Sequence, residues 1–164
     1  MELSRGRILV LLGAVSCVLS GFMVFDYHVN ERIGLAAEYS LFLGGKYIPL
    51  NERSASVLKG VERLFPEFSP SQFSLLANSA VAVFFFGTVF VMLRGAFSQR
   101  GKSKEIFFSS ITLTAIALAI FLTKWSFARV NPLEKTSFGP GFYLLLLGGL
   151  LGVAGGLLEW RKSR

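Results

Sequence analysis

Four stretches of this chain carry no charge and are almost wholly apolar: residues 8–25, 73–93, 106–123 and 142–158. They are 18, 21, 18 and 17 residues long. A helix crossing a hydrocarbon core about 30 Å thick needs about 20 apolar residues, within a range of roughly 17–25. Backbone groups in lipid must satisfy one another, so runs of this kind are expected to be helices. The strands of a membrane β-barrel would alternate over about 10 residues, and these runs do not alternate. Composition agrees: 16% of residues are charged and mean hydropathy is +0.57, against about 25% charged residues in a soluble domain. The expected fold is therefore an all-α integral membrane protein with four transmembrane helices. The spans fall at residues 8–25, 73–93, 106–124 and 142–159, separated by segments 26–72, 94–105 and 125–141, with tails 1–7 and 160–164.

The first run has a basic flank in Arg5 and Arg7, and Ala14-Val15-Ser16-Cys17 resembles a lipoprotein cleavage box. The apolar run continues through Phe25, well past such a cut, so an uncleaved first helix is expected. Orientation follows from Lys and Arg. The N-terminus, segment 94–105 and the C-terminal tail hold nine basic residues (Arg5, Arg7, Arg94, Arg100, Lys102, Lys104, Arg161, Lys162, Arg164) in little chain, against three acids. The other side holds eight basic and seven acidic residues over far more chain. The positive-inside rule then places both termini in the cytoplasm, with the protein multi-pass in the cell membrane. The net charge of +7 matches anionic headgroups. It is no nucleic-acid footprint, because the basic residues lie in separate juxtamembrane clusters without a binding motif.

Segment 26–72 is too long for a plain connector. Tyr39–Leu43, Gly44-Gly45 and Lys46–Leu50 read as a hairpin with the glycine pair at its turn. Pro49 restricts the second strand to an edge. Asn51 is a candidate N-cap for an amphipathic helix of about 14 residues. Val57, Leu58, Val61, Leu64 and Phe65 share one face of it, and Arg53, Lys59, Glu62 and Arg63 the other. That apolar stripe must be covered by the chain's own bundle, by a membrane surface or by a partner. The layout resembles the claudin-like tetraspan plan: cytoplasmic termini, a long first outer loop with strands, and a short second one. The Trp and paired Cys of the claudin first loop have no counterpart, since residues 26–72 contain neither.

Gly148, Gly152 and Gly156 recur every fourth residue in the last run, and Gly13, Cys17 and Gly21 do so in the first. Lipid tails are as apolar as Leu, so helices associate where small residues let backbones approach. These six are the candidate helix-packing residues, within the chain or against other membrane subunits. Asn78, inside the second run, must turn its amide to a partner, because an unpaired amide in hydrocarbon is costly. It is either an interhelical bond or a ligand contact. His28, two residues from Asp26, reads first as an ordinary interfacial histidine; the functional alternatives are a base oriented by that carboxylate and an axial ligand for a pigment. Lys124 and Arg129, with Glu134 and Lys135, read first as ordinary interfacial charges at the outer side, with an outer rim binding an anionic headgroup as the alternative.

One Cys and one His exclude an internal disulfide and a multi-ligand zinc site within the chain. No phosphate-binding or dinucleotide-binding glycine motif occurs, and no ionisable residue sits at mid-membrane depth, where proton relays and pumps place them. The expected function is thus non-catalytic: a scaffold or accessory subunit packing in a larger membrane complex through small-residue faces and its outer loop. The alternative is a small transporter or a handler of lipid or another hydrophobic ligand. Expected partners are membrane lipids and other integral subunits, with no nucleic acid and no metal. The one cofactor reading is a bound lipid, with a pigment only if His28 is a ligand.

Overall fold

A computed structural model describes residues 4–40, 44–64, 70–97, 103–130 and 134–162; the side chains at 44–45, 61–62, 64, 70–82, 123, 125–130 and 134 lie outside that description. The chain runs α1 (Arg5–Phe22), β1 (Val24–Asn30), β2 (Leu35–Ser40), β3 (Gly44–Pro49), α2 (Glu52–Leu64), α3 (Pro70–Phe97), α4 (Ser103–Val130), β4 (Glu134–Phe138) and α5 (Pro140–Lys162). It is mostly helical, with one small antiparallel sheet. Arg5–Phe22, Ser103–Leu122 and Pro140–Lys162 are long and apolar enough to cross a membrane. In α3 the described apolar stretch is Val83–Phe97.

Local chemistry sets the helix ends. The Ser4 hydroxyl caps α1 by accepting the Arg7 N–H at 3.3 Å, and Ser4 donates to the Glu159 carboxylate of α5. That carboxylate also lies 3.7 Å from Arg7, placing negative charge at the positive end of α1. Pro70 and Pro140 open α3 and α5, where a missing N–H costs nothing and φ is already helical. Asn51 caps α2: the Ser54 N–H donates to Asn51 Oδ1 at 2.8 Å, and the Asn51 N–H donates back to Ser54 Oγ at 3.3 Å. α1 stops at Phe22, short of the expected Phe25. Met23 turns extended, and Val24 and Phe25 enter β1, since an apolar run alone does not separate a helix end from a buried strand start.

The sheet order is β3-β2-β1-β4. Sequence reading found only one hairpin within it. Gly44-Gly45, the expected turn, instead lies inside β3, opposite Ser40 and Tyr39; the connecting residues 41–43 lie outside the described ones. Pro49 does sit on an edge strand, paired with Leu35. The tight turn is between β1 and β2. There the Asn30 carboxamide accepts the Arg32 and Ile33 N–H groups at 3.2 and 3.3 Å, and Gly34 takes φ +67°, a left-handed conformation open to glycine at little cost.

α5 is sandwiched between α1 and α4, and α3 closes the bundle. Val10, Cys17, Met92, Leu113 and Leu145, from these four helices, are fully buried together. The glycines of α5 serve two neighbours. A Cβ at Gly148 would meet Cys17 Sγ at 2.5 Å and the Gly13 carbonyl at 2.6 Å, and one at Gly155 the Gly6 carbonyl at 2.5 Å, all on α1. Gly152 faces Ser110 of α4 and Met92 of α3, and Gly156 lies 3.1 Å from the Phe107 backbone of α4. The expected single groove through Gly148, Gly152 and Gly156 is therefore shared between α1 on one side and α3 and α4 on the other.

Candidate functional site

Three polar residues singled out by sequence, Asp26, His28 and Lys124, come together where the sheet meets the bundle. Asp26, near the start of β1, is paired with Phe138 of β4 across the ladder. The break in register between Val24 and Asp26 lets Phe25 turn into the core against Phe142, with ring centroids 5.8 Å apart. Phe138 stacks on Phe142 at 4.2 Å and on Phe121 of α4 at 5.6 Å. Strand β4 is thereby fastened to two helices by aromatic faces, each such pair worth about 0.5–1.5 kcal/mol beyond burial.

Lys124 of α4 enters this aromatic joint. Only 9% of its surface is accessible. Its ammonium forms an ion pair with Asp26 Oδ1, donates to the Ser137 carbonyl at 2.8 Å, and lies 4.4 Å from the centroid of the Phe138 ring. A buried ammonium needs such a set of partners, because desolvation without them is prohibitive. The expected outer rim at Lys124 is thus an internal joint linking α4, β1 and β4.

The second carboxylate oxygen, Asp26 Oδ2, lies 2.9 Å from His28 Nε2, so an Nε2–H there donates to the carboxylate. His28 packs edge-on to Tyr39, with centroids 6.0 Å apart. Tyr39 bonds to Tyr47 of β3, and burial together with that bond pushes the Tyr39 phenol up to about 12. These side chains line a pocket of about 350 Å³ that runs along β1 and β2 from Asp26 to Ile33 and Leu35. With Nε2 engaged by Asp26, ligation of a pigment by His28 would have to use Nδ1, with the carboxylate orienting the ring. Among the described residues no group of three His, Cys, Asp or Glu side chains is placed to hold a metal ion.

The remaining candidates separate. Gly13, Cys17 and Gly21 are buried on α1, with Gly13 and Cys17 against Gly148. Asn78 and Arg129 lie in α3 and α4, but their side chains are outside the described residues. Sequence reading missed Tyr39, Tyr47 and Ser137. The available signal was one tyrosine on each of two neighbouring strands, which needs the register to become a shared face.

At the far end of the sheet the Leu50 N–H donates to the Gly34 carbonyl at 2.8 Å. This places Leu50 beside Ile33, and the two are 50% and 57% exposed. Val57, on the apolar face of α2, is also 57% exposed. Compared with known proteins, the sequence matches no family model and no curated protein.

Proposed function

We propose that this chain is a non-catalytic, four-span membrane protein that acts as an accessory or scaffold subunit, with its outer sheet and α2 presented to a partner. α3 is 28 residues long and supplies the fourth span beside the three helices already long and apolar enough to cross. Basic clusters at the termini and between α3 and α4 set the cytoplasmic side. The charges nearest the sheet join its elements: Lys124 pairs with Asp26, whose second carboxylate oxygen lies 2.9 Å from His28 Nε2.

The observation that carries the reading is the apolar tip. β1 has 7 residues, which extends about 23 Å at 3.3 Å per residue, so the turn at Ile33 lies about that far along the sheet from the end of α1, with Leu50 just ahead of α2. Exposed apolar side chains clustered in water at the end of a rigid sheet mark a contact surface. The glycine faces of α1 and α5 are occupied within the chain, so the expected docking through them gives way to docking through the tip and α2.

The test is purification in mild detergent, followed by cross-linking and mass measurement. A stoichiometric larger complex is expected, and Ile33→Asp with Leu50→Asp should release the partner while α-helical content and thermal midpoint hold. A clean monomer from native membranes would overturn the proposal.

A further inference from the structure

A groove of about 680 Å³ lies between α3 and α4. Phe84, Gly87, Thr88 and Val91 line it from α3, with Phe108, Ser109 and Thr112 from α4. That volume lies within the range of about 300–1,000 Å³ typical of ligand sites. Its wall is apolar in effect, because each hydroxyl is used by its own helix: Thr88 donates to the Phe84 carbonyl at 2.8 Å, Ser109 to Glu105 at 2.8 Å and Thr112 to Phe108 at 2.9 Å. Gly87 contributes space, with no atom within 4 Å of where its Cβ would stand. One end is charged. Lys104 and Glu105 line it, and Arg94 follows one turn beyond Val91 on α3, which leaves an excess of positive charge at the mouth.

An apolar slot parallel to two long helices, closed at one end by cations, fits one kind of occupant. We infer that the groove between α3 and α4 holds one acyl chain of an anionic phospholipid, with its phosphate seated on Lys104 and Arg94. Apolar side chains take the tail, and the cationic mouth selects the head. A zwitterionic lipid offers the same tail without the net charge that the mouth attracts. The inference rests on the membrane-spanning part of the proposed function and is independent of any protein partner. A monomer that still holds the lipid would sink the scaffold reading alone.

The test is native mass spectrometry of the detergent-purified chain after incubation with equal amounts of phosphatidylglycerol and phosphatidylcholine carrying identical acyl chains. One phosphatidylglycerol should be retained with at least a fivefold preference, and Lys104→Gln should reduce that preference about fivefold, in line with about 1 kcal/mol per basic residue. Gly87→Phe fills the groove and should abolish retention of both lipids at an unchanged thermal midpoint. If that variant fails to fold, Thr112→Phe on the opposite wall asks the same question. Equal retention of the two lipids, or wild-type retention in the filled variant, overturns the proposal. So does a Thr88→Cys probe that cross-links to a second protein rather than to a lipid analogue.

Discussion

Lys124 shows how one side chain can join a helix to a sheet. Its ammonium has three partners within the chain, and removing it leaves the partly buried Asp26 carboxylate without its cation, with His28 still beside it. Breaking such a pair costs more than the pair contributes, because the surviving charge keeps its desolvation penalty. Lys124→Met should therefore lower stability by about 2–4 kcal/mol, a range set a little below that for fully buried pairs because Asp26 retains some solvent contact. Asp26→Asn combined with Lys124→Met should recover much of that loss, since no charge then remains to be solvated. Thermal unfolding of the four members of the cycle in detergent checks this; strictly additive losses would mean that the two side chains do not act as a pair. Cys17 offers a second residue-scale test. It is 0% exposed and packed against Gly148, so a maleimide should label it only after denaturation. Rapid labelling of the native chain would refute the α1–α5 packing.

At the scale of elements, the glycines divide by what surrounds them. A methyl group at Gly148 would strike the Gly13 backbone on α1, and backbone cannot rotate away as a side-chain tip can. Gly148→Ala should cost about 1–3 kcal/mol as the two helices are forced apart. Gly60 of α2 has nothing within 4 Å, so Gly60→Ala should instead stabilise by about 0.5–1 kcal/mol through the lower helical entropy cost of alanine. Opposite signs from the same substitution, read as shifts in thermal midpoint, would support the assignment of α5 as a shared wall. The helices were largely legible in the sequence because uncharged length is a local property. Their ends were less so: α3 and α4 each continue several residues past the apolar runs, where polar side chains remain helical at no cost in water. The sheet was half legible. β2 and β3 are neighbours in sequence, whereas β1 pairs with β4 more than a hundred residues away, Asp26 lying opposite Phe138. No local pattern in Glu134–Phe138 announces a strand. For the same reason Lys124 read as an interfacial cation: its partner is assembled only when β1 and β4 meet.

For the molecule as a whole, the sheet lies at one end of the bundle, and the start of α1 and the end of α5 lie at the other. α1 begins at the Ser4 and Glu159 contact and ends in β1, while α5 starts beside the sheet, with Gly141 packed against the Ser20 carbonyl, and finishes with Arg161 and Lys162 in its last turn. In the proposed topology, turning the molecule over would carry Arg5, Arg7, Arg94, Lys104, Arg161 and Lys162 across the membrane in place of the sheet. The positive-inside bias opposes that, and so does the anionic inner leaflet, by about 1 kcal/mol for each Lys or Arg it attracts. Orientation should therefore be uniform. In a Cys17→Ser background, Lys135→Cys at the exposed start of β4 should react with a membrane-impermeant thiol reagent added to intact cells. Lys162→Cys should react only after the membrane is opened. The reverse pattern would invert the topology, and with it the lipid leaflet against which Lys104 and Arg94 stand. Equal labelling at both sites in intact cells would mean that the helices do not cross a membrane at all, removing the basis for reading the tip at Ile33 and Leu50 as an outward-facing contact surface.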